Sequence, residues 1–207
     1  MLTLPWKRDK GFDIMTRDVY DFMYKALSEA RKAATHGEVP VGAVIVDAEG
    51  RVVARAFNKT VSLHDPTAHA EILALREAAA QCGNYRLTGA TLVVTLEPCP
   101  MCMGAALNAR VGHLVFGAFD PKWGAAGSLY NLAQDARLNH RIEVTSGVCE
   151  EECRRLMQDF FQARRKIAGQ TRRGTEVVVT GSTRNRLVPL EAGHVGSNPT
   201  LSANPIK

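Results

Sequence analysis

Two short segments thirty residues apart, His69-Ala70-Glu71 and Pro98-Cys99-Pro100-Met101-Cys102, constrain this chain more than any other feature. They supply one imidazole, two thiols and a carboxylate, and the first three are donor types that zinc takes in tetrahedral sites. Donors so distant in sequence share an ion only if the fold brings two element ends together. Pro98 and Pro100 suit a chain entering the first turn of a helix, which places Cys99 and Cys102 on one face near its N-terminus. There the helix dipole favours thiolates, the form a metal binds. The stretch from Ala68 to Cys82, rich in Ala, Leu, Ile and Glu and stopped by Gly83, reads as a second helix that starts at a ligand.

Three donors leave the fourth tetrahedral position open, which is the mark of a catalytic zinc site. Glu71 reads as a proton shuttle, because these segments hold no fourth Cys or His to close a structural site and a carboxylate beside an activated water can move its proton. The competing reading is a structural zinc knuckle with Glu71 on a solvated helix face. Knuckles are short, loop-rich modules, whereas these ligands begin two helices of a long chain.

The rest of the pattern gives those helices a frame. Val19, Phe22, Met23, Ala26, Leu27 and Ala30 recur at helical spacing, with Thr16 as N-cap and Gly37 as stop. Val41–Val46 and Val52–Phe57 read as a hairpin joined through Asp47–Gly50, the first strand nearly continuous in apolar residues and therefore central. Leu92–Val94, His113–Phe116 and Ile142–Val144 are further strands, and Glu150 to Ala168 is helical. The order α-β-β-α-β-α-β-loop-β-α predicts a three-layer α/β/α fold around a central five-stranded mixed sheet, with the site at the strand ends.

With 207 residues, 45% of them hydrophobic, the chain supports one substantial core. Of five cysteines two belong to the metal motif. Cys82, Cys149 and Cys153 fall in helical patterns expected to be partly buried, so a reduced, cytoplasmic protein is expected. Trp6-Lys7-Arg8-Asp9-Lys10 interrupts any apolar run, and neither a signal segment nor a membrane span is expected. The formal charge is +5, but residues 169–207 hold five Lys or Arg against two Asp or Glu, leaving 21 basic and 19 acidic residues elsewhere. Net charge therefore identifies no partner.

An H-x-E with a P-C-x-x-C is the signature of zinc-dependent nucleobase deaminases. Around it run Glu38-Val39-Pro40-Val41-Gly42-Ala43, His64-Asp65-Pro66-Thr67-Ala68, Asn84-Tyr85-Arg86-Leu87, Thr95-Leu96-Glu97, Val115-Phe116-Gly117-Ala118, Gly124-Ala125-Ala126-Gly127-Ser128-Leu129 and Asn139-His140-Arg141. On these segments, residues from about Gly37 to Lys166 resemble the bacterial tRNA adenosine deaminases of the cytidine-deaminase-like superfamily. The resemblance implies one zinc per subunit on His69, Cys99 and Cys102, with Glu71 transferring protons. It implies that Asn58 hydrogen-bonds a flipped purine, and that the backbone around Ala70 and Glu97-Pro98 frames the pocket. It also puts Asp120 and Lys122 on a loop meeting neighbouring anticodon nucleotides, Phe161 along the nucleotide cleft, and Arg164 and Arg165 near phosphate. Phe160 and Phe161 equally fit a helix core, and Arg164 to Lys166 a solvated basic end.

The implied reaction is hydrolytic conversion of adenosine to inosine at the wobble position of a tRNA anticodon stem-loop, by a homodimer. A zinc deaminase of a free base or nucleoside, of guanine or cytidine type, is the alternative. A non-catalytic zinc-stabilised RNA-binding module is a third reading, against which Glu71 counts. Pro100 and the segment Ala118-Phe119-Asp120-Pro121-Lys122-Trp123 depart from the commonest family pattern and leave the base-neighbour preference open.

Residues 1–15 then form an N-terminal extension, 16–168 the zinc-dependent deaminase domain and 169–207 a basic tail expected to be disordered, apart from a short strand at Val177–Val179. The tail fits a dispensable basic extension that adds non-specific RNA affinity; alternatively, since Gly196-Ser197-Asn198-Pro199 is what the T-arm of a tRNA gene yields when translated, it reads as overrun into an adjacent tRNA gene. Codons at those positions that do not spell that arm would refute this.

Overall fold

A computed structural model of the chain describes residues 12–173, with side chains from 19 to 166. Its elements are α1 (Phe12–Thr35), β1 (Gly42–Val46), β2 (Val52–Phe57), α2 (Ala70–Cys82), β3 (Thr91–Leu96), α3 (Pro100–Asn108), β4 (His113–Ala118), β5 (Glu143–Thr145) and α4 (Glu150–Arg173). This is the expected order. α1 begins at Phe12, so Thr16 lies within the helix instead of capping it. Gly37 does end that helix segment, in the left-handed region at φ 74 that glycine enters without strain. α4 continues past Ala168 to Arg173. The proposed strand at 177–179 and the T-arm-like segment lie outside the described residues.

The strands form one sheet in the order β2-β1-β3-β4-β5. β1 runs antiparallel to β2, because a short turn at Asp47–Gly50 makes a hairpin, and on its other side it is antiparallel to β3. β3, β4 and β5 are mutually parallel, the first pair joined through α3 as a crossover helix. The sheet is therefore mixed. Alternate side chains divide it into two apolar layers. Ala43, Ile45, Leu92, Val94, Leu114 and Phe116 pack with α2 and α3, while Val44, Val46, Val93 and Val115 pack with residues of α1 and α4. Strands covered on both faces must be apolar throughout, and β1 is buried at every position.

Because α2 and α3 share one face, both can begin at the same edge of the sheet, where β3 ends and β1 begins. Cys82 is exposed, contrary to its expected burial, because it is the last residue of α2. Cys149 precedes α4 at φ 52 and Cys153 follows in its first turn, both buried against α1. Among the described residues, no helix is long and apolar enough to cross a membrane.

Candidate metal centre

Both helices of this face start on a candidate ligand. His69 (φ −74, ψ 152) and Cys99 (φ −72, ψ 170) are the extended N-cap residues of α2 and α3, and neither side chain makes a capping hydrogen bond. N-cap residues normally spend their side chains on the first free N–H groups of the helix. Here that work falls elsewhere: the Ala70 N–H donates to Asn58 Oδ1 at 2.8 Å. The imidazole and thiol are left free to turn inward. Pro100 sets the first turn of α3 and brings Cys102 beneath Cys99.

His69 Nδ1 lies 3.7 Å from Cys99 Sγ and 3.5 Å from Cys102 Sγ, and the three donor atoms all fall within 4.8 Å of one another. Tetrahedral zinc, with Zn–S near 2.3 Å and Zn–N near 2.1 Å, separates such atoms by about 3.6 Å. The two nitrogen–sulfur separations match that ion. Protonation points the same way. Hydrogen bonds from Cys102 and then His69 hold the Cys99 thiol down at about 4. The proton shared with Cys99, followed by burial, pushes Cys102 up, and the hydrogen bond to Cys99 raises His69. A zinc ion there would take both sulfurs as thiolates and the imidazole as neutral.

Glu71 stands in the first turn of α2, 3% exposed. Burial pushes its carboxyl up, and its Oε2 has no hydrogen-bond partner among the described residues. A buried, unpaired carboxylate oxygen is costly unless something else occupies the site. It does not join the three-donor cluster, consistent with a group that moves protons beside a metal.

A cavity of about 400 Å³ opens onto these groups, and Asn58, His69, Glu71, Cys99 and Asp120 line it. Since Asn58 Oδ1 is committed to Ala70, its Nδ2 is the side-chain donor left for a bound molecule. Ala70 itself is fully buried, its N–H taken by Asn58. Lys122 is exposed next to the cavity wall, and Phe161 and Arg164 lie on an exposed face of α4; none of the three lines the cavity. Phe161 is 41% exposed, so it is not a core aromatic. The Arg164 guanidinium stacks over Phe160, 5.2 Å from the ring centre.

From the sequence Glu97 was given only a backbone role in framing the pocket, and Glu38 and Trp123 no individual role; of the three, Glu97 and Trp123 line the cavity. Glu38, fully buried, accepts the N–H groups of Ser62 at 2.7 Å and Val61 at 3.1 Å, anchoring the loop that carries Thr60 and Pro66. Glu97 does the same for the loop after β4, and Trp123 stands on that loop. A carboxylate placed directly at the end of an apolar strand, as Glu97 follows Leu92–Leu96, is the signal that marks such an anchor.

Residues 16–118 match the family model for the cytidine and deoxycytidylate deaminase zinc-binding region. The chain is 52% identical over 152 residues to the tRNA-specific adenosine deaminase of Bacillus subtilis (strain 168), covering 73% of this chain and 93% of that protein. A solved structure from a study of A-to-I editing by tRNA:A34 deaminases at the wobble position of transfer RNA superposes with TM-score 0.64. It is 47% identical and covers 66% of this chain and 98% of its own. A structure holding 2,6-diaminopurine is more distant, at 27% identity and TM-score 0.58 over 69% of this chain and 80% of its own. Three donors at two helix starts that could hold a zinc ion, on a mixed five-stranded sheet, and sequence identity above one half place the chain in the tRNA-specific adenosine deaminase family of the cytidine-deaminase-like zinc enzymes.

Proposed function

We propose that this protein converts adenosine to inosine at the wobble position of a tRNA anticodon. The observation that carries the reading is Glu71 Oε2, unpartnered and buried in a cavity beside a zinc-fitting donor set. Zinc held by His69, Cys99 and Cys102 supplies a Lewis acid that lowers the pKa of water to about 7. Glu71 takes a proton from the attacking water and delivers it to the purine ring nitrogen, then takes the second proton from the new C6 hydroxyl and delivers it to the departing amine. Water adds at C6, the C6–N6 bond breaks, and ammonia leaves while the oxygen stays as the 6-oxo group of inosine. Asn58 Nδ2 holds the base edge, and the buried frame of Ala70 fixes Asn58 through its N–H.

Anticodon loops present unstacked bases, so removing the target base from its stack costs little. Asp120 lines the cavity mouth and Lys122 stands beside it, placed to meet neighbouring nucleotides. Phe161 and Arg164 form an outer contact with RNA in the same reading, on the exposed side of α4. Identity of 52% to a tRNA-specific adenosine deaminase, against 27% to the diaminopurine-bound structure, favours RNA over a free base. The reading extends to a cytoplasmic homodimer, for which the half-exposed Leu129 and Tyr130 offer apolar area. Sedimentation of the zinc-loaded protein checks the dimer.

The decisive assay incubates the protein with an anticodon stem-loop carrying wobble adenosine and, in parallel, with free adenosine, cytidine and guanine. Inosine in the RNA alone is expected. Turnover of a free base or nucleoside with none in the RNA would transfer the assignment to the guanine or cytidine type.

A further inference from the structure

Glu97 is 2% exposed at the end of β3, and no cation pairs with it among the described residues. Its carboxylate is satisfied instead by one loop. Oε1 accepts the N–H of Ala126 at 3.0 Å and of Ser128 at 2.9 Å, and Oε2 accepts the N–H of Asp120 at 3.1 Å and the Ser128 hydroxyl. Gly124 closes over the carboxyl group, where an added Cβ would run into Glu97 and the Asp120 carbonyl. From Asp120 the order passes outward. Its Oδ1 accepts the N–H groups of Lys122 at 3.0 Å and Trp123 at 3.2 Å, and its carbonyl accepts Gly124 N–H at 2.8 Å. At the end of this chain of bonds the Trp123 side chain lines the cavity yet remains 64% exposed.

An indole left in water on a turn whose backbone is tied down at both ends is not part of any core. Its flat face beside a nucleobase cavity suits stacking, which binds any base and tolerates sequence change. We propose that Glu97 is a positioning residue that locks the 120–128 loop so that Trp123 stacks on a base flanking the target nucleotide. This rests on the RNA reading above. It explains why a carboxylate is buried without a counter-charge: two oxygens are needed to gather three N–H groups and a hydroxyl from one loop.

The test uses Trp123 as its own reporter. The chain has two tryptophans, Trp6 and Trp123, so Trp6→Phe leaves a single indole. In that background, with Glu71→Ala to prevent turnover, binding of the stem-loop is followed by anisotropy of labelled RNA and by Trp123 emission. Bound RNA should quench the indole, and an abasic site at one flanking position should abolish the quench where an abasic site at the target does not. Bound RNA without quenching, or quenching lost only with the target base, overturns the proposal. No binding and no inosine formation by the unmodified protein would instead defeat the RNA reading.

The positioning role is tested in the active protein. Glu97→Gln turns one acceptor into a donor facing the loop, and Gly124→Ala pushes the loop from the other side. Each should raise KM for the stem-loop about tenfold, the loss expected for one base–aromatic stack. The effect on kcat should be smaller than that on KM, with zinc held at one per chain and the quench per bound RNA reduced. If Glu97→Gln does not fold, Gly124→Ala carries the test. Unchanged KM and quench in a folded variant of either kind would refute the assignment.

Discussion

At the residue scale, two buried carboxylates do different work. Glu71 keeps an oxygen free in the cavity, and Glu71→Ala should retain zinc while losing deamination by several orders of magnitude, since it removes proton transfer without touching a donor. Metal analysis beside the inosine assay checks this, and loss of zinc would make Glu71 a ligand. Glu38 is the contrasting case. Burial alone would push its carboxyl up, but the N–H groups of Ser62 and Val61, with the Ser62 and Thr60 hydroxyls, more than offset this and hold it below the usual value. A folded-state pKa below the unfolded one gives stability that is full above the ordinary glutamate range and is lost as pH falls through the folded value. Glu38→Gln should therefore cost about 1–3 kcal/mol at neutral pH, with a deficit that narrows in acid. Urea unfolding across that range would show it, and a deficit independent of pH would mean the charge is not the cause. The metal motif was legible because its spacing alone implies helix starts. The loops gathered by the Glu38 and Glu97 side chains and the place of Trp123 in the cavity wall were not, because each depends on loop paths that appear only in three dimensions.

Elements owe their positions to a few close approaches. Gly42 opens β1 directly beneath α1, and a Cβ there would run into the Ala26 carbonyl and the Ala30 amide. Backbone atoms of a helix cannot swing aside as a side-chain tip can, so Gly42→Ala should force α1 off the sheet. We expect a loss of about 1–3 kcal/mol from overpacking and a melting point several degrees lower. An unchanged melting point would show that α1 yields freely. Element order was readable from apolar periodicity, since β1 and the flanking helices follow their burial closely. Ends were less so. Thr16 has the chemistry of an N-cap yet lies inside α1, because a capping residue works only where the helix is otherwise broken. Cys82 follows the helical pattern of α2 but falls on its last turn, where burial gives out. Periodicity reports which face is apolar, not how far the covering layer reaches.

For the molecule as a whole, zinc on the proposed donors would tie together parts that the sheet already brings near. His69 begins α2, Cys99 and Cys102 begin α3, and the segment between His69 and Cys99 includes β3. A ligand that binds only the folded state adds RT ln(1 + [L]/Kd), about 2.7 kcal/mol at a hundredfold excess over Kd and about 4.1 at a thousandfold. Chelation should therefore lower the melting temperature. It should not unfold the chain, because apolar layers on both faces of the sheet persist without the ion, unlike the zinc finger that has little core of its own. The expected result is a cooperative transition at lower temperature that returns on adding zinc. Glu71→Ala should show the same chelator-dependent shift, since its donors are intact. Cys102→Ser, with a neutral hydroxyl in place of a thiolate, should show a much smaller one and bind less zinc. Calorimetry with and without chelator separates the cases. An equal shift in Cys102→Ser would mean that the stabilising ion sits elsewhere, and the open coordination position beside Glu71 would lose its basis.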